Sequence, residues 1–368
     1  MKSEDLFSAL GKIDGRYIDC SVPKKMPVYK RNTFRWVTAA AACLCLFISG
    51  YLMSGHMKTG KLPVLDNYSI VFEPMGMGYE GTDDLEMKNS DDINPWNENT
   101  VLDTLPVYKN LRYSGGSLYQ SYYSADELKN QTVAFADMLG LDIVGGEAVY
   151  AGTENEVYNY VLNTQQGTVS SGGTGISLNL KKGYESLLNK HISYCFGSET
   201  ESVSGICREY SVDGELLITE KRSYYKYGDI VDNIVSFNLR SYWQCSWSDG
   251  NTDYINSRHD DYLSCSEKLG DYPVIGIDEA RAKLIAGEYA TSADEESVEG
   301  GKITEEVIAK TDLIYYTVGN QQLYMPYYRF YVKYYSGDGE IQRYAYFYVC
   351  AIEDEYLGGY EKFDGSFQ

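Results

Sequence analysis

The chain has few residues of the types that hold metal ions or act as catalytic nucleophiles. Its 368 residues include only three histidines, and none of its eight cysteines stands in a C-x-x-C spacing. A zinc site therefore has no framework of ligands. The G-x-S-x-G and H-E-x-x-H motifs of serine hydrolases and metalloproteases do not occur either. These absences predict a protein that is not an enzyme and that uses no metal or other cofactor.

The cysteines are too few and too scattered to specify a disulfide framework. Five of them follow residue 54, and an odd number cannot all pair within one chain. One or two disulfides would suit an oxidising space, whereas free buried thiols would pack as small apolar groups. The sequence leaves both arrangements open for Cys195, Cys207, Cys245, Cys265 and Cys350.

Positive charge is scarce outside the first 35 residues. This head carries eight Lys and Arg against four Asp and Glu, which leaves 24 against 49 for the other 333 residues. The head is therefore +4 and the remainder is −25. Such an acidic body repels phosphate backbones, so the sequence argues against nucleic acid as a partner.

One apolar segment, residues 34–53, predicts a transmembrane helix. From Trp36 to Met53 there are 18 residues without a charge, which nearly spans the hydrocarbon layer and exceeds the apolar core of a signal peptide. Trp36 and Tyr51 suit the two membrane interfaces. The cations that crowd before the segment include Lys30, Arg31 and Arg35. The positive-inside rule thus predicts a single-pass protein of the cell membrane, with a cytoplasmic N-terminus and an extracytoplasmic body.

Residues 1–33 combine a basic patch with an amphipathic helix. The apolar residues Leu6, Leu10, Ile13 and Tyr17 follow each other at spacings of four, three and four, so they share one helix face. Ser3 is a suitable N-cap for this helix. The apolar face predicts contact with the inner membrane surface or with the groove of a cytoplasmic protein.

The body is predicted to be α+β, built from helices and antiparallel sheets. Residues 54–104 are rich in Gly, Asp and Asn and predict a spacer, followed by domains over 105–270 and 271–368. In the first domain Ser124 begins the capping box of a helix that carries Leu128, Phe135 and Leu139 on one face and ends at Gly140. The run 233–247 predicts a strand, and Asp213-Gly214 predicts a hairpin turn. His191 in a helix and His259 in a polar loop are expected to be solvent-exposed or capping residues.

The second domain predicts a helix followed by a three-stranded meander. Asp278 is the expected N-cap of this helix and Gly287 its end. The last strand alternates between two sets of residues, so both of its faces can be covered. The first set is Tyr344, Tyr346, Tyr348 and Cys350, and the second is Ala345, Phe347, Val349 and Ala351.

The motif "LFSALGKIDGRYI", the basic patch and the single span resemble the opening of clostridial-type membrane proteins often labelled anti-sigma-factor-like. The stretches "FEPMGMGYEG", "NPWNENTVLDTLPVYKN", "LGDYPVIGIDEARAKLIAGEY" and "MPYYRFYV" extend this resemblance along the chain. The order of elements at the C-terminus is similar to PepSY-like modules and to the extracytoplasmic parts of YycI-type regulators. The H-x-x-x-C-x-x-C pattern of zinc-containing anti-sigma domains is not present.

The resemblance implies a regulator that senses an envelope ligand or protein outside the membrane. Inside, the apolar face of Leu6, Leu10, Ile13 and Tyr17 would hold a sigma factor or another cytoplasmic partner. An alternative is an extracytoplasmic ligand-binding or adhesion module, in which the N-terminus serves only to direct insertion into the bilayer.

Overall fold

The computed structural model describes residues 62–66, 70, 72, 87–89, 93–113, 123–150, 157–172, 174–196, 202–211, 213–248, 252–293, 298–317, 321–335 and 342–358. The chain divides into two compact units, Met1–Lys61 and Leu62–Gln368, and all described residues belong to the second. The predictions for the head and the span therefore lie outside the described residues. They concern Leu6, Leu10, Ile13, Tyr17, Lys30, Arg31, Arg35, Trp36 and Tyr51.

Helices and mostly antiparallel strands make up the described residues, which confirms the predicted α+β class. The α-helices are α1 (Ala125–Leu139), α2 (Ser186–Phe196), α3 (Ile230–Leu239) and α4 (Ile277–Ala286). The first strands are β1 (Met87–Asn89), β2 (Thr104–Asn110), β3 (Ile143–Tyr150), β4 (Val157–Thr164), β5 (Gly167–Ser171), β6 (Gly175–Lys181), β7 (Ser202–Tyr210) and β8 (Leu216–Tyr225). The others are β9 (Arg240–Ser248), β10 (Asp253–Asp261), β11 (Ser266–Pro273), β12 (Ile308–Tyr315), β13 (Leu323–Tyr324), β14 (Pro326–Tyr335) and β15 (Gln342–Cys350).

The larger sheet has nine antiparallel strands in the order β1-β7-β8-β9-β10-β6-β5-β4-β3. Helix α1 packs on this sheet and has the predicted caps, a capping box formed by Ser124 and Glu127 and a left-handed Gly140 at its end. The hairpin between β7 and β8 turns at Gly214, whose φ of 81° lies in the left-handed region. The predicted apolar residues of α1 are all buried: Leu128, Phe135 and Leu139.

The predicted strand over residues 233–247 is wrong in its first half, because helix α3 ends only at Leu239. The Asp229 side chain caps this helix by accepting a hydrogen bond of 2.8 Å from the backbone N–H of Asp232. Its β-branched residues favour a strand locally, but burial of one helix face decides the outcome. Ile234 and Leu239 lie in the core of the C-terminal half, while Phe237 packs edge-on against Tyr224 of β8 at 5.5 Å.

Two three-stranded antiparallel sheets, in the orders β11-β2-β13 and β12-β14-β15, form the part of the body that we call the C-terminal half, although β2 comes from earlier in the chain. Strand β2 pairs with β11 and β13, so residues from both sides of the predicted 270/271 boundary share one sheet. Helix α4 packs against β15 through Ala280 and Leu284. It begins after Gly276, so the predicted cap Asp278 lies in its first turn, whereas its predicted end at Gly287 is confirmed.

The alternation predicted for the last strand is confirmed. Ala345, Phe347, Val349 and Ala351 lie in the main core of this half, together with Leu313 of β12 and others. The opposite face carries tyrosines and charged groups and is covered by other segments. None of the described helices is long and apolar enough to cross a bilayer.

Candidate functional site

The face of β14 and β15 that points away from the main core carries four tyrosines, one arginine and one cysteine in three neighbouring rows. Antiparallel pairing places Tyr327 opposite Cys350, Arg329 opposite Tyr348, and Tyr331 opposite Tyr346. Side chains two residues apart share a face, so these three rows lie side by side. We call these six residues the tyrosine face.

A cavity of about 320 Å³ opens at one end of the tyrosine face, beside the row of Tyr327 and Cys350. This volume lies at the lower end of the range for small-molecule sites, roughly 300–1,000 Å³. Most of its lining is apolar or aromatic: Ile70, Tyr289, Ala290, Tyr327, Tyr348, Val349 and Leu357. Such a cavity can take a compact molecule or a single side chain of a larger one.

Charged groups from two segments also line the cavity and meet at Lys283 of α4. Its Nζ lies 2.7 Å from both carboxylate oxygens of Asp354 and 3.5 Å from Glu288 Oε2. Burial alone would lower the pKa of Lys283, but the hydrogen bond and charge of Asp354, together with Glu288, hold that pKa above its usual value. Lys283 therefore stays charged and bound to its two carboxylates.

Cys350 contributes a thiol to the cavity wall. Burial raises the pKa of this thiol to about 12, so it stays protonated at neutral pH and is a poor nucleophile. The five cysteines whose pairing the sequence left open are all free: Cys195, Cys207, Cys245, Cys265 and Cys350. The cavity therefore offers binding surfaces rather than an activated sulfur.

Arg329 and Tyr331, from the other two rows of the tyrosine face, take part in a buried ionic cluster centred on Asp312 of β12. Arg329 Nη2 donates to Asp312 Oδ2 at 3.0 Å, Tyr331 OH donates to the same oxygen at 2.9 Å, and Lys310 Nζ lies 3.2 Å from Oδ1. Burial alone would raise the pKa of Asp312, but the charges of Arg329 and Lys310 and the two hydrogen bonds hold that pKa below its usual value. The cluster therefore joins Arg329 and Tyr331 of β14 to Asp312 of β12.

The segment that leads from the predicted span into the body forms another part of the cavity wall. We call Leu62–Phe72, of which residues 62–66, 70 and 72 are described, the entry segment. The backbone N–H of Leu65 donates to Tyr356 O at 2.7 Å, and Gly358 N–H donates to Leu65 O at 3.0 Å. Beyond this attachment, Ile70 and Leu357 both line the cavity. A ligand in the cavity would therefore touch the entry segment directly.

A second buried polar group is the imidazole of His191 in helix α2, which does not line the cavity. His191 is fully buried, so the prediction that it is exposed is wrong. Its Nδ1 lies 3.1 Å from Ser257 Oγ, and its ring packs edge-on against Phe135 and Tyr242 at 4.8 and 5.1 Å. Burial, together with the nearby His259, lowers the pKa of His191 to about 3. His259 lies in strand β10 and not in the predicted loop.

The low pKa of His191 predicts a loss of stability in acid. In the unfolded chain His191 binds a proton as the pH falls below its ordinary pKa of about 6.5. In the folded protein His191 stays neutral until about pH 3, so acid favours the unfolded state. Between pH 7 and pH 4.5 this difference should lower the free energy of unfolding by about 2 kcal/mol. Urea unfolding at both pH values should show a smaller loss in His191→Phe than in the natural chain. Equal losses in the two proteins would contradict the assignment.

The sequence did not single out the groups that surround the cavity. Lys283, Glu288 and Asp354 come from two segments and carry no motif. The alternation ending at Cys350 indicated only that both faces of the last strand can be covered. Within the described residues, no group of three or more His, Cys, Asp or Glu side chains is arranged to hold a metal ion. The membrane-flanking and partner-binding residues predicted from the sequence lie outside the described ranges.

Comparison of the chain with protein-family models, with curated proteins and with solved structures gave no match.

Proposed function

We propose that this protein is a non-enzymatic, membrane-anchored regulator that senses a small envelope ligand. Its body, from residue 54 onward, would lie outside the cell membrane and bind the ligand in the cavity at Lys283. Its head would hold a cytoplasmic partner, such as a sigma factor, through the apolar face of Leu6, Leu10, Ile13 and Tyr17. The resemblance to anti-sigma-factor-like and PepSY-like proteins supports the choice of a sigma factor as the partner and of an envelope ligand outside the membrane.

The observation that carries the proposal is the shared wall between the cavity and the entry segment. Ile70 lines the cavity, and Leu65 is bound to Tyr356 and Gly358 just beside it. Only eight residues, 54–61, separate the entry segment from Met53, the end of the predicted span. A ligand that prefers one arrangement of the entry segment would shift the population of that arrangement. Because a short stretch of chain joins the entry segment to the predicted span, a change in the entry segment would act on the span directly.

The distribution of charge supports the same topology. The +4 head would remain at the anionic inner surface of the membrane. The span has no charge after Arg35, so the −25 is carried entirely by the body from residue 54 onward, which needs no contact with lipid. The apolar face of the head helix is narrow, and Gly11 and Gly15 each destabilise a helix by about 1 kcal/mol relative to Ala. The helix would therefore form fully only when that face is covered by a partner.

The head is tested by substituting one residue on each side of its helix in the full-length chain. Leu10→Asp places a charge in the apolar face and should abolish capture of the cytoplasmic partner in a pull-down. Ser8→Asp adds the same charge on the opposite side and should leave capture unchanged. Equal capture by both variants would contradict the proposed contact.

Deletion of residues 3–19 separates the proposal from an adhesion or ligand-binding module with a topogenic head. The regulator should lose its cytoplasmic partner and its effect on gene expression when these residues are removed. The module should insert and bind outside the cell as before. Membrane fractionation of the deleted chain provides the control, because both hypotheses require that it still inserts.

A further inference from the structure

We propose that the cavity takes a compact molecule, or a single side chain, that carries an ammonium group on an apolar body. This inference rests on the proposed function, because it names the class of ligand for the same cavity. Three features of the lining support it: the balance of charge, the aromatic walls and the volume.

The charged lining favours a cation over an anion. Lys283 is the only cation that lines the cavity among the described residues, and two carboxylates already bind it. The Asp354 and Glu288 side chains are 71% and 64% exposed, so each keeps oxygen lone pairs for a further donor. The three charges sum to −1, so an anionic ligand would meet a net negative charge, and it would compete with two carboxylates for the ammonium group of Lys283.

The walls behind these charges are aromatic and aliphatic. Tyr289, Tyr327 and Tyr348 line the cavity together with Ile70 and Leu357. The faces of aromatic rings attract ammonium groups, and apolar walls favour burial of a hydrocarbon body. The cavity thus combines carboxylates at Lys283 with aromatic and apolar surfaces, which is the combination that an amine with a hydrocarbon body can satisfy.

The volume restricts the size of the ligand. About 320 Å³ accommodates a small amine but not a folded peptide or an oligosaccharide. Two sources can supply this chemistry outside a cell: a free amine, or the amine-bearing side chain of an envelope peptide. Both would present the same ammonium group and the same apolar stem to the cavity.

The class of ligand is tested by comparing the affinities of three probes that share a benzyl group and differ in the charge of the polar group attached to it. Calorimetric titration of the full-length chain in lipid nanodiscs would use 2-phenylethylamine, 2-phenylethanol and phenylacetate. We expect the amine to bind most tightly and phenylacetate most weakly. If the alcohol or the anion binds as tightly as the amine, or if no probe binds at millimolar concentration, the proposed class of ligand is wrong. None of these results bears on partner capture by the head, so the proposed function is judged separately.

A matched pair of substitutions locates the binding. Glu288→Gln removes one carboxylate charge at the cavity and should weaken amine binding about threefold to tenfold, with no change for the alcohol. Glu147→Gln makes the same change on exposed β3 of the nine-stranded sheet and should change neither. Equal effects of the two substitutions on amine binding would overturn the assignment to this cavity.

A further pair of probes separates the two sources. Nα-acetyl-lysine amide carries the free side-chain ammonium within a peptide-like backbone, and its Nε-acetylated form does not. Binding of the first but not the second assigns the cavity to an amine-bearing side chain of a peptide. Binding of 2-phenylethylamine without binding of either lysine derivative assigns it to a free amine.

Discussion

The Asp312→Asn substitution is expected to lower the free energy of unfolding by about 3–5 kcal/mol. Asp312 is buried and is the only carboxylate that the described contacts place between Arg329 and Lys310. Asparagine keeps the size of the side chain but removes its charge, so the buried guanidinium of Arg329 loses the carboxylate that it contacts in a region of low dielectric. Tyr331 also loses the charged acceptor of its hydroxyl. The loss should therefore be much larger than for a surface ion pair.

Urea or guanidinium unfolding of the two proteins at neutral pH measures this effect. Asp253→Asn is the matched control, because Asp253 also pairs with a lysine, Lys182, but both of these side chains are more than half exposed. We expect the control to unfold almost as the natural chain does. If Asp312→Asn lowers the free energy of unfolding as little as the control does, the cluster contributes little to the stability of the β12–β14 pairing.

Local signals were enough to predict the parts of the body that end in well-defined caps or alternate strictly. Ser124 and Gly140 bound helix α1 because each stabilises a helix terminus through its own backbone geometry or hydrogen bonds. The last strand was predictable because two complete sets of residues alternate along it and both sets are covered. Such features depend on residues that are neighbours in the sequence.

Helix α3 shows where local propensity misled the prediction. The run after Asp232 is rich in β-branched and aromatic residues, which favour strands in isolation. Its outcome depends on burial against β8 on one side and the C-terminal core on the other, and neither contact is visible in the sequence. Asp229 was the available signal, since its carboxylate caps the backbone N–H of Asp232.

The cavity could not have been predicted for a similar reason. Its lining comes from Ile70, from the α4 region between Lys283 and Ala290, and from Tyr327, Tyr348 and Asp354. These positions meet only because Leu65 of the entry segment attaches to residues 356–358, after the last strand, and Ala290 attaches to Tyr348 of β15. His191 was mispredicted because a polar residue on a helix is usually exposed, whereas here Ser257 accepts or donates its one hydrogen bond inside the core.

A sensor of the proposed kind requires that the cavity and the head helix lie on opposite sides of one membrane. The cavity would then meet envelope molecules, and the entry segment would connect it to the span. If the body were cytoplasmic, the acidic surface and the cavity would face a different set of ligands and the entry segment would transmit nothing across the bilayer.

Protease treatment of spheroplasts that express the full chain, with one epitope tag at each end, tests this topology directly. External proteinase K should remove the C-terminal tag and leave the N-terminal tag on a fragment that contains residues 1–53. Detergent should expose both tags and serves as the control for complete digestion. Protection of the C-terminal tag in intact spheroplasts, or loss of the N-terminal tag before detergent is added, would contradict a membrane-anchored sensor with its body outside.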